Sequence, residues 1–173
     1  MKRLDAVFLD RDGTLDPAEN FTPPFEMDLK GGATKAIEIL KEHNIPIYSF
    51  TNQSCIARGD FTAKDFNKEL MQLGFNDVYL CPHGFYDGCD CRKPEIGMLT
   101  KASADHDLKL EHCVVIGDSW GDMLAGAIII LVKTGNGGLS LGRYREKWAD
   151  VVPNYIADDI LDAIGWITNN YLT

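Results

Sequence analysis

The segment FLDRDGTL places two carboxylates, Asp10 and Asp12, two positions apart. In extended chain residues i and i+2 face the same side, so both can address one ligand. Gly13 then permits a sharp turn. This arrangement suits phosphoryl transfer. One carboxylate attacks phosphorus, while the other protonates the leaving oxygen and afterwards activates water. By itself a D-x-D-G fragment also occurs in calcium loops and ordinary turns, so its meaning depends on what accompanies it.

Three further groups accompany it. Asp118 and Asp122, in IGDSWGD, could complete an oxygen shell for magnesium, which favours few carboxylates, several waters and substrate phosphate; alone they would read as a solvated acidic loop. Thr51 and Asn52 offer hydroxyl, amide and backbone donors to phosphate oxygens. Lys93 supplies positive charge to balance nucleophile, metal and phosphate. A lone Thr or Lys would be surface decoration, and the value of these residues lies in their order along the chain.

Elements with a parallel-sheet pattern must position them. Leu4 to Asp10 reads as a buried central strand that delivers Asp10 at its carboxyl end. Ala33, Ala36, Ile37 and Leu40 recur at helical spacing, with Asn44 as a stop. Ile45 to Phe50 is strand-like and ends at Thr51. Thr62 caps a helix carrying Phe66, Leu70 and Leu73 and closed by Gly74. A short strand, Val78 to Cys81, precedes a helix expected from Pro94 with Ile96, Leu99 and Ala102 on one stripe. Cys113 opens an apolar strand, Val114 to Gly117, that delivers Asp118. Strands alternating with helices predict an α/β fold, a Rossmann-like parallel sheet with helices on both faces, whose ligands bind outside the carboxyl ends of the strands. Asp10, Thr51 and Asp118 should therefore converge. No repeat, low-complexity tract or linker interrupts the pattern, so one domain over 1–173 is expected.

Composition excludes several classes. With 173 residues, 45% hydrophobic and 25% charged, the chain can bury a core and is not disordered. A formal net charge of -9 disfavours nucleic acid. No apolar run approaches the roughly twenty residues of a membrane helix, and Met1-Lys2-Arg3 leads straight into a strand carrying Asp5 and Asp10, unlike a secretory signal. A cytoplasmic location is expected, with the five cysteines reduced or metal-bound. The oligomeric state is open, a monomer being compatible with everything above.

The ordered set FLDRDGTL, TNQS, CRKP and IGDSWGD resembles the haloacid dehalogenase superfamily of phosphatases. The resemblance implies Asp10 as nucleophile, Asp12 as acid and base, Thr51 at the phosphate, Lys93 as charge stabiliser and Asp118 as magnesium ligand, with the backbone carbonyl of Asp12 also on the metal and Asp122 orienting its waters. TNQSCIARG together with CPHGFYDGCDCRKP is similar to the subgroup of D-glycero-D-manno-heptose 1,7-bisphosphate and histidinol-phosphate phosphatases, over roughly residues 4–135. That subgroup lacks a large cap domain, so short loops shape the pocket. Asn52, Gln53, Ser54, Arg58 and Arg92 are the candidate substrate-binding residues.

One of those loops reads C-x-H-x5-C-x-C, and Cys81, His83, Cys89 and Cys91 could close a tetrahedral structural zinc site; idle reduced thiols are the alternative. Two substitutions depart from the subgroup: Ser119 stands where Arg or Lys is common, and Cys55 replaces a common Gly. The stretch MLAGAIIILVKTG passes from Asp122 almost directly into an apolar strand, where a helix of about ten residues is expected.

The partner these readings imply is a small phosphorylated metabolite, with a sugar bisphosphate placed ahead of histidinol phosphate because Arg92 and Lys93 are adjacent cations. The competing readings are a zinc-stabilised binding protein without turnover, which the presence of both nucleophile and acid opposes, and a phosphomutase, which the absence of a large water-excluding cap opposes. A nucleic-acid 3′-phosphatase would share the motifs, but the acidic balance opposes it.

Overall fold

Ala6–Leu9 (β1) is buried along its whole length in the computed structural model, which describes residues 3–172. Its side chains alternate between two cores, as strand geometry requires. Val7 and Leu9 enter one apolar cluster, Ala6 and Phe8 the other. A strand apolar on both faces needs a covering layer on each side. The chain supplies them in order: helix Ala33–Glu42 (α1), strand Ile47–Ser49 (β2), the two-residue strand Thr51–Asn52 (β3), helix Ala63–Leu73 (α2) and the two-residue strand Leu80–Cys81 (β4). Helix Gly97–His106 (α3), strand Cys113–Gly117 (β5), helix Trp120–Ala125 (α4), strand Ile128–Val132 (β6), helix Gly137–Leu141 (α5), strand Tyr155–Ala157 (β7) and helix Ile160–Ile167 (α6) follow. Residues of α1, α2 and α6 pack with the Val7 cluster, and those of α3 and α4 with the Phe8 cluster.

The main sheet runs β2-β1-β5-β6-β7 with every pairing parallel. After β1 the chain moves to β2 on one side, and β5 returns to the other side. The β1/β5 pair, in register Leu9 to Ile116, is thus the point where the winding reverses and where a crevice opens at the strand ends. Asp10 and Asp118 follow these two strands directly. β3 and β4 form a separate two-stranded parallel sheet, which carries Thr51 and Cys81 beside that crevice.

Local signals in the chain account for most boundaries. Thr62 and Asp65 form the reciprocal capping box of α2, and Gly74 ends it at φ 106°. Asn44 takes the left-handed conformation just after α1. The helix expected from Pro94 begins only at Gly97. Glu95 N–H closes a turn on Arg92 O at 2.8 Å and Gly97 N–H bonds Asp90 O at 2.9 Å, so residues 92–96 finish the cysteine loop before the helix starts. The short link after Asp122 is a six-residue helix, α4, that reaches β6 through Gly126. A side chain at Gly126 would run into Val115 and Ile129, so close backbone approach is what lets so brief a crossover join neighbouring strands. Among the described residues no helix is long and apolar enough to cross a membrane. Met1 and Lys2, part of the N-terminal reading above, lie outside the described residues.

Candidate active site

Asp10, Asp118 and Asp122 bring one carboxylate oxygen each within 4.8 Å of one another, all three side chains buried. Asp10 comes off β1, Asp118 off β5, and Asp122 from the first turn of α4. Lys93 reaches in from the loop before α3, with its Nζ 3.0 Å from Asp10 Oδ1 and 2.6 Å from Asp122 Oδ1, over the face of Phe50. Burial would discharge this lysine, but the two carboxylates prevail and hold it cationic, with its pKa raised. Burial also pushes Asp122 up to about 6, against the pull of Lys93. Among the described residues no such cation pairs with Asp118. Burial, then the charges of Asp10 and Asp122, raise it well above the ordinary carboxylate range. One lysine among three buried carboxylates leaves negative charge uncompensated. An all-oxygen donor set of this kind could hold a hard divalent ion such as magnesium at Asp10 and Asp118. Asp122 is also engaged by Lys93 and by Ser119 N–H at 2.9 Å.

The other half of the D-x-D pair is held from two sides. Asp12 Oδ2 accepts from Gln53 Nε2 at 2.6 Å and Oδ1 from Arg11 Nη1 at 2.6 Å. Burial outweighs both and raises the Asp12 pKa, the direction a proton donor needs. Thr51 is buried, and its Oγ1 accepts from Gln53 at 3.0 Å. Asn52 exchanges bonds with the backbone of Lys93, accepting at 3.0 Å and donating at 3.4 Å, and so places that lysine. Gln53 and Asn52 therefore spend polar groups on catalytic candidates. Ser54 and Arg58 lie outside this cluster, with Arg58 exposed and paired to Asp60 at 2.9 Å. Cys55 is buried beside Gln53. Ser119 caps α4 in a reciprocal box with Asp122.

Several residues that spacing did not single out complete the site. Asn136 N–H bonds Asp118 Oδ2 at 2.7 Å, Ser140 Oγ bonds Asp118 O at 2.7 Å, and Thr134 Oγ1 bonds Gly13 O at 2.7 Å. Thr134 and Asn136 come from the turn after β6, a strand end like those of β1 and β5, which is the one signal that could have found them, and Ser140 comes from α5. Arg11 and Glu69 form a buried ion pair behind Asp12. Gly13, at φ 78°, and Gly135, at φ 56°, line Asp118 so closely that a Cβ on either would overlap its carboxylate.

A pocket of about 390 Å³ opens beside Lys93, lined among others by Asn52, Phe85, Arg92, Glu95 and Trp120. The Arg92 guanidinium lies 3.9 Å over the Phe85 ring, and its Nη1 is buried with no hydrogen-bond partner among the described residues. It is a cation suited to an anion further from the carboxylates.

Cys81, His83, Cys89 and Cys91 converge next to the pocket. Cys81 Sγ is 3.5 Å from His83 Nδ1 and 3.6 Å from Cys89 Sγ, and His83 Nδ1 is 3.2 Å from Cys91 Sγ. A tetrahedron with metal–sulfur bonds of about 2.3 Å has edges of about 3.8 Å, so the spacing fits one zinc ion. Burial opposes the Cys89 thiolate, but backbone N–H groups of Arg92 and Cys91 bring its thiol down to about 7. The set could hold zinc, with all four positions filled by protein.

A family model described as HAD-hydrolase-like matches residues 90–163. The chain is 33% identical over 175 aligned residues to the D-glycero-beta-D-manno-heptose-1,7-bisphosphate 7-phosphatase of Haemophilus ducreyi, covering 88% of this chain and 94% of that one. It is 35% identical over 136 residues to the D-glycero-alpha-D-manno-heptose-1,7-bisphosphate 7-phosphatase of Campylobacter jejuni, covering 72% and 77%. The crystal structure of D,D-heptose 1,7-bisphosphate phosphatase from B. bronchiseptica, complexed with magnesium and phosphate, superposes with a TM-score of 0.79 at 28% identity, covering 96% of this chain and 99% of that one.

Proposed function

This chain belongs to the haloacid dehalogenase-like phosphatases, and we propose that it is a magnesium-dependent phosphomonoesterase with Asp10 as nucleophile, acting on a sugar bisphosphate such as D-glycero-D-manno-heptose 1,7-bisphosphate. The observation that carries the reading is the buried meeting of Asp10, Asp118 and Asp122 with Lys93 at the reversal point of the sheet. A carboxylate oxygen of Asp10 attacks phosphorus, and the bond from phosphorus to the ester oxygen breaks. Asp12 delivers its proton to that departing oxygen, leaving an aspartyl phosphate on Asp10. Water then attacks phosphorus and gives a proton to Asp12. The bond to Asp10 breaks, phosphate leaves, and both carboxyl groups are restored. Lys93 holds Asp10 in place, and Thr51 offers its hydroxyl to phosphate oxygens. Asp10, Asp118 and the carbonyl of Asp12 would hold magnesium, which when bound would supply positive charge for the transferring group. The four-ligand loop holds structural zinc and shapes the pocket from one side. One domain spans residues 1–173.

The substrate reading rests on Arg92. Its guanidinium lines the pocket and receives the remote phosphate of a bisphosphate, while Lys93 serves the reacting end. Asn52, Gln53, Ser54 and Arg58 are less favoured as direct contacts, because they are engaged within the protein or lie away from the pocket. Histidinol phosphate is the second reading. It is favoured by the short cysteine loop, with five residues between His83 and Cys89, and by Glu95, a carboxylate in the pocket wall that suits an ammonium. The test is a comparison of kcat/KM across phosphorylated metabolites, with magnesium, for the wild type and Asp10→Asn. The asparagine variant should lose turnover while keeping its fold. A wild-type-like rate in it refutes the covalent route.

A further inference from the structure

Arg11 lies between the two catalytic carboxylates in sequence, yet its side chain turns away from both the pocket and Asp10. It is completely buried, and each of its five N–H groups is used. Nε and Nη2 bind the two oxygens of Glu69 on α2 at 2.7 and 2.9 Å. Nη1 gives one bond to Asp12 Oδ1 at 2.6 Å and one to Thr22 O at 2.8 Å, and Nη2 gives its second to Pro23 O at 3.2 Å. The rings of Phe66 and Phe21 lie 5.1 and 5.9 Å from the guanidinium carbon. Glu69 is itself buried and also accepts Phe25 N–H at 2.8 Å.

Stability alone does not account for such a pair. Burying a guanidinium and a carboxylate costs solvation that their attraction only offsets, and apolar replacements of the same volume are often as stable or more so. What the pair supplies is geometry. The guanidinium is a rigid plane, fixed by a fork-on-fork contact to a helix, and one edge of that plane reaches Asp12. Gln53 grips the other oxygen of Asp12 from β3's carboxyl end. A carboxyl held at both oxygens cannot rotate, and a proton donor must meet the leaving oxygen at hydrogen-bond distance along a defined direction.

We propose that Arg11, clamped by Glu69, is a positioning residue that holds the Asp12 carboxyl in the orientation needed to protonate the leaving group. The proposal rests on the reading of Asp12 as acid and base, and its test separates the two. kcat/KM reports the steps up to formation of the aspartyl phosphate, so it is compared for an alkyl phosphate, which needs the proton, and for p-nitrophenyl phosphate, which does not. Three variants are used. Arg11→Met/Glu69→Gln removes both charges together, and the amide still accepts Phe25 N–H. Arg11→Lys keeps a charge but cannot span Glu69 and Asp12. Asp12→Asn removes the acid.

The double variant should melt within a few degrees of wild type, lose about 10- to 100-fold in kcat/KM on the alkyl phosphate, and lose less than about threefold on the aryl one. Arg11→Lys should show the same asymmetry, and it decides the matter if the double variant does not fold. Equal losses on both substrates, or none, overturn the proposal. If Asp12→Asn shows the asymmetry and the Arg11 variants do not, only the positioning role falls. If Asp12→Asn lacks it too, the acid role falls and takes the proposal with it.

Discussion

Gly13 and Gly59 share a left-handed backbone, at φ 78° and 82°, but differ in what a methyl group would meet. At Gly59 nothing lies within 4 Å of the added Cβ. Gly59→Ala should therefore carry only backbone strain, about 1–2 kcal/mol, of which about 0.4–1 kcal/mol is returned because the unfolded chain is stiffer. For a chain of this size about 1 kcal/mol lowers Tm by roughly 2–4 °C. At Gly13 the same methyl would overlap the Asp118 carboxylate and lie 3.1 Å from the Gly135 backbone. Asp118 has to move, and its bond from Asn136 N–H at 2.7 Å is strained or lost. A hydrogen bond to a charged acceptor is worth about 1.5–3 kcal/mol, so Gly13→Ala should cost about 2–5 kcal/mol in all. A displacement near 1 Å at a positioned carboxylate can cost about 10²-fold in rate. Thermal unfolding and magnesium-dependent hydrolysis of an aryl phosphate should be measured on both variants. Gly59→Ala is expected to lose a few degrees and keep its kcat, whereas Gly13→Ala should lose at least about 100-fold even at temperatures where it is fully folded. Near-wild-type turnover in Gly13→Ala, or an equal loss in both, would refute the argument that close packing of this glycine sets Asp118.

Purified protein never exposed to chelator should contain about one zinc per chain, retained through dialysis that removes magnesium, since thiolates prefer the softer ion. Absence of zinc or iron by metal analysis refutes the site. Cys89→Ser should lower Tm and, because Cys89 lines the pocket with Arg92, also raise KM; an unchanged Tm speaks against a structural ion. Arg92→Ala should raise KM for a heptose bisphosphate several-fold more than for an aryl phosphate, which has no remote anion. If it affects both alike, or if histidinol phosphate has the higher kcat/KM, the bisphosphate assignment fails and the phosphatase remains. Between about pH 4 and 6 the magnesium-free protein should lose stability as pH rises, because burial raises Asp122 to about 6 from 3.8 and the folded state then holds a proton that the unfolded state has released. Thermal melts across that range check it, and stability rising through the same window counts against a buried, protonated Asp122.

The sequence by itself determined the central strands β1 and β5, because AVFL and CVVIG carry no polar side chain and can be buried on both faces, whereas the short strands β3 and β7 carry no such run. It determined where α2 starts and stops, through Thr62, Asp65 and Gly74, since capping is a contact among near neighbours. It also placed Asp10 and Asp118 together, because carboxyl ends of adjacent parallel strands must open on the same side. The start of α3 was misplaced at Pro94, where turn bonds from Glu95 and Gly97 delay the helix. What only the tertiary structure decided is which polar atoms meet. Gln53, read as a substrate ligand, is bonded to Asp12, and Arg58, read as a pocket cation, is paired to Asp60 on the surface. The partnership of Arg11 with Glu69 joins residues 58 positions apart through a buried fork that no local pattern encodes. Spacing specifies the element a side chain rides on, whereas its partner depends on rotamers chosen during packing, where each buried donor takes whichever acceptor the fold brings within reach.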